Sequence, residues 1–365
     1  MSRAAPSRVL VWQWGRFGAG PRIAACLARG LAELPGVEVF LSLSRGAEIL
    51  RDAAAPRCDL PVDTYASVAG FMARAAAAPF ALPGLIGRIK RLRPELAICA
   101  MPGPLDLEMA AVLRWLNIPF VVVVHDADAH LGDGMPMQMP LQRALCRRAN
   151  AVVALTAHVG EKLVAQRLAG TPGRKLIRSR LPPLRYDFTS RGAAAGNGEF
   201  RLLTFGRLLP YKGLDLLADG LKLLGAVPGL TVRVVGSGPE SHELSALRAL
   251  PGVTVENRWV PEAEVGALFV WADAVVLPYR EASQSGVAAV ALAANRYVVS
   301  TNVGGLAEQL RDEQLAILCE PDAASLAGAL RRVLDAPPVA QAKQRPDDEW
   351  REFAAELLEA VVSDQ

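Results

Sequence analysis

The chain has 365 residues, of which 52% are hydrophobic and 21% charged, enough apolar material for two ordinary cores and about the length of two domains. Its net charge of +3 gives no reason to expect a nucleic-acid partner, and no stretch approaches the roughly 18 apolar residues of a membrane span. Five scattered cysteines, odd in number and without CxxC or zinc spacing, fit a reducing compartment, and the short apolar run SRVLVWQW is no secretory h-region.

From the N-terminus, RVLVWQW reads as a buried strand, GRFGAGP as a glycine loop, RIAACLARGLAEL as a helix and VEVFLSL as a second strand. The basic segment GRIKRLRP precedes the strand ELAICA. AAVLRWLN then leads into PFVVVVH, a continuous apolar run of the kind that a parallel strand covered on both faces shows. LQRALCRRA is a basic helix, AVVALT a strand and AHVGEKLVAQR a helix. Residues 181–199, rich in Pro, Gly and Ala, read as a linker. The alternation then restarts with FRLLTFGRL, TVRVVG, VTVENRW, AVVLPY and YVVST, each followed by a turn and a helical run. The tail DDEWREFAAELLEAVV is one amphipathic helix. The reading is α/β: two Rossmann-like, doubly wound parallel sheets in tandem. The boundaries are 1–183 for the first domain, 184–199 for the linker, 200–340 for the second domain and 341–365 for a helix returning to the first domain.

Charge is split between the halves. Residues 1–183 carry 23 Lys and Arg against 13 Asp and Glu, and the remainder 17 against 24. A basic first half suggests phosphates or an anionic membrane as partner; charge that only solubilises the domain is the alternative. In segment 84–93, Leu85, Ile86 and Ile89 would lie on lipid while Arg88, Lys90, Arg91 and Arg93 face headgroups.

Ligands of such sheets sit at the carboxyl ends of strands, with the cleft between two sheets as the natural site. Four segments fall there. Gly15–Gly20 opens a helix, so Gly18 and Gly20 let backbone N–H groups approach a phosphate, although a plain tight turn explains the loop equally well. Arg207 and Lys212, framed by Gly206 and Gly213, can neutralise a diphosphate without a metal. VVGSGPE, with Gly236, is a strand-to-helix turn common to nucleotide-binding sheets. In PYREASQSGVAAV, the N–H groups of Gly286 and Val287 can receive an anion while Glu281 accepts hydrogen bonds from sugar hydroxyls; Ser285 also suits a plain helix N-cap. Asp126 and Asp128 spell DxD, but the motif follows His125 in the first of two sheets, and no metal is expected there. His130 and His158 show no ligand spacing and read as structural or exposed.

GRLLPYKG, VVGSGPE, ENRWVPEAEV, WADAVVLPYREASQSG and STNVGGLAEQL, together with the glycine loop, VVVVHD and RRANAVVALT, resemble the retaining glycosyltransferases of family 4, of GT-B fold, in order and spacing. The resemblance implies that Arg207 and Lys212 hold the donor diphosphate and Glu281 the donor sugar. Ser285, Gly286 and Val287 would meet the distal phosphate through their backbone, with Gly18 and Gly20 approaching it from the first domain. His125 would lie near the transferred sugar, and Trp259 and Val260 would flank the base. The family's second glutamate, eight residues after the first, is Ala289 here, or Val290 after a one-residue slip; REASQSG resembles a variant group of surface-polysaccharide enzymes. The implied activity is metal-independent, cofactor-free transfer of a hexose from a UDP or GDP sugar to a glycan or polyprenyl-diphosphate-linked acceptor. The place expected from the cysteines and the N-terminus is the cytoplasm, with peripheral attachment to the inner face of the membrane as an option. A non-catalytic partner of the same fold and a nucleotide-sugar epimerase are the alternatives.

Overall fold

The computed structural model of the chain describes residues 6–52, 54–130, 132, 137–188, 199–335 and 346–363. Two compact units divide it: Met1–Asp128 with Met135–Pro182 and Asp347–Gln365, and Ala129–Gly134 with Pro183–Pro346.

The first unit runs β1 (Arg8–Gln13), α1 (Ala19–Ala32), β2 (Glu38–Leu43), α2 (Val68–Ala76), α3 (Ala78–Leu92), β3 (Leu96–Cys99), α4 (Asp106–Trp115), β4 (Phe120–Val124), α5 (Gln138–Cys146), β5 (Ala151–Ala154), α6 (Ala157–Ala165) and β6 (Lys175–Arg178). Its sheet is parallel, in the order β2-β1-β3-β4-β5-β6. β3, β4 and β5 are buried at every position, which is why they read as unbroken apolar runs rather than alternating ones.

The second unit runs β7 (Phe200–Arg207), α7 (Leu214–Leu224), β8 (Leu230–Ser237), α8 (His242–Arg248), β9 (Val253–Asn257), α9 (Glu262–Trp271), β10 (Ala274–Leu277), α10 (Gly286–Ala293), β11 (Tyr297–Thr301), α11 (Gly304–Leu310), β12 (Ala316–Cys319) and α12 (Ala323–Asp335). The parallel order is β12-β11-β10-β7-β8-β9. Counted from β7 this is 3-2-1-4-5-6, the dinucleotide-binding order, whose crevice opens where the strand order reverses, between β7 and β10. The last helix, α13 (Pro346–Val362), belongs to the first unit. It lies so close to α1 that a Cβ on Gly30 would come within 2.4 Å of the Trp350 carbonyl oxygen.

Three local expectations change. β6 and β12 did not read as strands, because each is a four-residue edge strand paired on one side only. Residues 184–188 are less exposed than a linker: Leu184 and Tyr186 are buried, and the Leu184 N–H donates to the Ala289 carbonyl at 3.0 Å; residues 189–198 lie outside the described residues. Leu85 and Ile89 do not face outward. They are 6% and 0% exposed, and Ile86 packs against the same core. Spacing alone marks a stripe on a helix, but not whether protein or lipid covers it.

Candidate functional site

The switch point of the second sheet gathers residues from two loops. Strand β7 ends at Gly206 and Arg207, and a 3₁₀ turn over Pro210–Lys212 follows. Gly213 closes that turn in the left-handed region (φ 66°), and a Cβ there would lie 1.8 Å from the Pro278 carbonyl oxygen. The loop after β7 is thus seated on the loop after β10 by a contact that only glycine permits. The Tyr211 carbonyl completes it, accepting from the Arg280 N–H at 2.9 Å, and Arg280 pairs with Asp215. A second close approach joins β7 to β8: a Cβ on Gly236 would meet the Gly206 carbonyl oxygen at 1.7 Å.

This framework positions the cations. The Lys212 ammonium stands 3.7 Å from the ring centroid of Tyr279 and 4.8 Å from that of Tyr211. Aromatic faces of this kind hold a cation without neutralising it. Lys212 has no carboxylate partner among the described residues. Arg207 donates from Nη2 to the Tyr211 hydroxyl at 3.2 Å. On the β10 side Glu281 is half exposed, and one oxygen lies 3.4 Å from Nδ1 of the buried His130. The His130 ring stacks on Tyr211, with centroids 4.6 Å apart and planes at 13°. His130, read above as structural or exposed, is therefore in contact with a site carboxylate. Its place in the second unit follows from residues 129–134 leaving the first unit, which no local spacing signals.

Helix α10 opens at the same point. The Ser285 hydroxyl caps it, accepting from the Ala288 N–H at 3.2 Å. The Ser285 N–H donates to Gln309 Oε1 at 2.8 Å, and Gln309 Nε2 returns a bond to the Ser285 carbonyl at 3.1 Å. Because Ser285 spends its N–H on Gln309, backbone donation to a phosphate falls to Gly286 and Val287, whose N–H groups have no acceptor within the helix. Gly206 lies beside Val287: a Cβ added to it would be 3.5 Å from Val287 Cγ2. Ala289 and Val290 are buried, 1% and 4% exposed, so no side chain at either place reaches a ligand. Past β9, Val260 is buried and Trp259 is 48% exposed. Asn257 steadies this turn, exchanging two 3.0 Å hydrogen bonds with Gly238.

In the first unit, the glycine loop wraps the Gln13 side chain. Gln13 Oε1 accepts from the Gly15 N–H at 2.9 Å, and a Cβ on Gly20 would meet Gln13 Nε2 at 2.7 Å. Gly18 (φ 77°) faces open space at the start of α1, which has no side-chain cap. His125, at the end of β4, is buried with Nε2 3.1 Å from the Ala100 carbonyl oxygen. Burial pushes its pKa down against that hydrogen bond and the nearby Asp126, so the neutral ring donates from Nε2. Asp128 is engaged by Arg143 (3.3 Å), Lys162 (3.6 Å) and Gln166 (2.8 Å). Asp126 offers its carbonyl to Gln142. The structure thus brings Arg207, Lys212, Glu281, Gly206, Gly286 and Val287 to one switch point, with Tyr211, Tyr279, Gln309 and His130 added. The two tyrosines were legible as aromatics inside LLPYKG and VLPYRE.

Two parallel six-stranded sheets, each flanked by helices and each in its own unit, define a GT-B protein. Residues 21–174 match the family described as "Glycosyltransferase Family 4" and residues 199–336 that described as "Glycosyl transferases group 1", so the chain carries both domains of these glycosyltransferases. A glycogen synthase of Mycobacterium tuberculosis is 30% identical over 271 residues; the match covers 69% of this chain and only 65% of the relative's length. A GDP-mannose:glycolipid 4-beta-D-mannosyltransferase of Xanthomonas campestris is 31% identical over 153 residues, 38% of this chain and 41% of that protein. Among solved structures, Anabaena HepE in complex with UDP and glucose shares the fold with a TM-score of 0.64 at 14% identity, covering 98% of this chain and 97% of that one.

Proposed function

We propose that the protein is a retaining glycosyltransferase that moves a hexose from a nucleoside-diphosphate sugar to a hydroxyl of a lipid-linked or surface-polysaccharide glycan. The observation that carries this reading is the grouping of Lys212, Arg207 and Glu281 at the β7/β10 switch point, beside the N-terminus of α10. Two cations and two backbone N–H groups suit a diphosphate, and a half-exposed carboxylate beside them suits sugar hydroxyls. In the proposed step the acceptor oxygen bonds to the anomeric carbon on the face that the diphosphate leaves. The C–O bond to the phosphate breaks with its electron pair, and the departing phosphate takes the acceptor proton. The protein's own part is electrostatic and positional. The Xanthomonas relative's glycolipid acceptor supports a lipid-borne acceptor. The test is incubation with UDP, GDP and ADP sugars and measurement of released nucleoside diphosphate, first without acceptor. Turnover of none of them would leave the non-catalytic reading.

Glu281→Gln is expected to lower use of the donor by roughly tenfold to a hundredfold, the scale of one hydrogen bond to a charged group, while affinity for the free nucleoside diphosphate stays near wild type. His130→Ala should shift the same parameter in the same direction, because Nδ1 of the ring lies 3.4 Å from a Glu281 oxygen. Equal loss of affinity for nucleotide and nucleotide-sugar would place Glu281 on the ribose or in the scaffold instead.

The two-cation site is proposed to act without metal, and activity should survive EDTA. Asp128 is held by Arg143, Lys162 and Gln166, an arrangement that favours a structural role. Activity lost on chelation and restored by Mg²⁺ or Mn²⁺ would overturn this.

A further inference from the structure

Helices α2 and α3 carry an apolar surface that faces away from the core. No residue of α2 is buried. Val68, Met72, Ala75 and Ala76 recur at i, i+4, i+7 and i+8, the spacing of one helix face, and Val68 and Met72 are 71% and 63% exposed. Phe80, in the first turn of α3, is 87% exposed. The opposite side is well anchored. Phe71 packs on Tyr65 with ring centroids 5.0 Å apart, and Arg74 grips both carboxylate oxygens of Glu108 on α4 at 3.0 and 2.7 Å. The exposed side is therefore a fixed feature of a docked helix.

Along α3 the inner stripe of Leu82, Leu85, Ile86 and Ile89 enters the core. The outer stripe runs Phe80, Gly84, Gly87, Arg91, apolar at one end and cationic at the other, about 16 Å apart at 1.5 Å per residue. Residues 64–94 contain five cations and no acid. Arg74 is spent on Glu108; Arg88, Lys90, Arg91 and Arg93 make no ion pair among the described residues.

We propose that the α2–α3 face is a docking surface for an anionic phospholipid bilayer, with Val68, Met72 and Phe80 entering the headgroup–acyl boundary and Lys90, Arg91 and Arg93 resting on the headgroups. Charge favours this occupant over a second copy meeting it face to face. The stripe holds no acid to receive the cations of a second copy, whereas anionic headgroups receive them and the acyl boundary receives the apolar face. Insertion is shallow, because among the described residues no single helix is long and apolar enough to cross a membrane and the α2–α3 pair bends by 72°. Each cation near such a surface raises partitioning roughly fivefold, so binding depends on salt. The surface deepens the reading of a membrane-borne acceptor and is testable apart from it.

The test sediments the full chain with phosphatidylcholine vesicles, with and without phosphatidylglycerol, at low and high ionic strength. The wild type should bind only the anionic vesicles and be released by salt. Met72→Ser with Phe80→Ser, and separately Lys90→Glu with Arg91→Glu, should each weaken binding at least tenfold, with unchanged thermal unfolding and unchanged donor turnover. Failure of the wild type to sediment with anionic vesicles at low salt overturns the proposal, as does equal binding by the variants. Lipid-free self-association abolished by Met72→Ser with Phe80→Ser would assign the face to a second copy and also overturn it. Donor turnover is read separately, so loss of docking leaves the glycosyltransferase reading intact.

Discussion

Lys212→Ala and Arg207→Ala are each expected to lower glycosyl transfer by roughly 10²–10³-fold, about 3–4 kcal/mol, the usual loss when one preorganised donor to a developing anion is removed. The proposed leaving group is a diphosphate, and its charge rises as the glycosidic bond breaks, so these cations act chiefly in the transition state. The structure supplies an internal control. Lys212 is held over the rings of Tyr279 and Tyr211, so its placement depends on aromatic faces and not on an acid that would cancel its charge. The Tyr279 hydroxyl is buried and makes no hydrogen bond among the described residues. Tyr279→Phe should therefore leave transfer near wild type, while Tyr279→Leu, which removes the ring, should reduce it together with nucleotide affinity. Measured kcat/KM with a fixed donor reads all four variants. Near-normal turnover in both Lys212→Ala and Arg207→Ala would remove the diphosphate site from this loop.

What the sequence disclosed follows from how each feature is encoded. The central strands are buried on both faces, so PFVVVVH and AVVLPY announce themselves. Edge strands β6 and β12 have one partner and mixed burial, and their four residues carry no period. The residues grouped at the switch point were legible because they lie just past strand ends, where parallel sheets place ligands. Those that depend on where a distant segment returns were not: His130 meets Glu281 across about 150 residues of sequence, and Gln309 reaches Ser285 across 24. Burial was the weakest inference. Leu85 and Ile89 have helical spacing whether they face lipid or core, and only the tertiary structure showed that Val68, Met72 and Phe80 are exposed. The same blindness hid Asp106, a buried acid that no motif or spacing singles out.

Asp106 should make the stability of the first unit fall as pH rises from 4 to 7. The carboxyl is fully buried at the start of α4. One oxygen accepts from the Gly103 N–H at 2.6 Å and from the Cys99 thiol at 3.3 Å; the other has no hydrogen-bond partner among the described residues. Burial pushes its pKa up to about 7, against those two bonds and the Trp12 indole N–H, which stands near the carboxyl without reaching hydrogen-bond geometry; all three favour the charged form. The folded state therefore keeps a proton that the unfolded chain releases near pH 4. A raised folded pKa means a contribution fully present below the unfolded pKa and lost as pH climbs to the folded one. At 1.36 kcal/mol per unit the whole shift is worth about 4 kcal/mol, of which about 2 are lost between pH 5 and 7 and about 3 between pH 5 and 8. The neighbouring thiols do not titrate in this window: burial raises Cys99 well above its ordinary value and takes Cys146 to about 12. Tyr65, which feels the Asp106 charge, is also raised, first by burial. Asp106→Asn keeps the shape without the ionisation, so urea midpoints of variant and wild type should diverge from pH 5 to 8, in favour of the variant, by about 3 kcal/mol of unfolding free energy. Parallel pH dependences in the two proteins would show that Asp106 stays ionised in the fold, and the buried carboxyl would then need a cation that its surroundings do not supply.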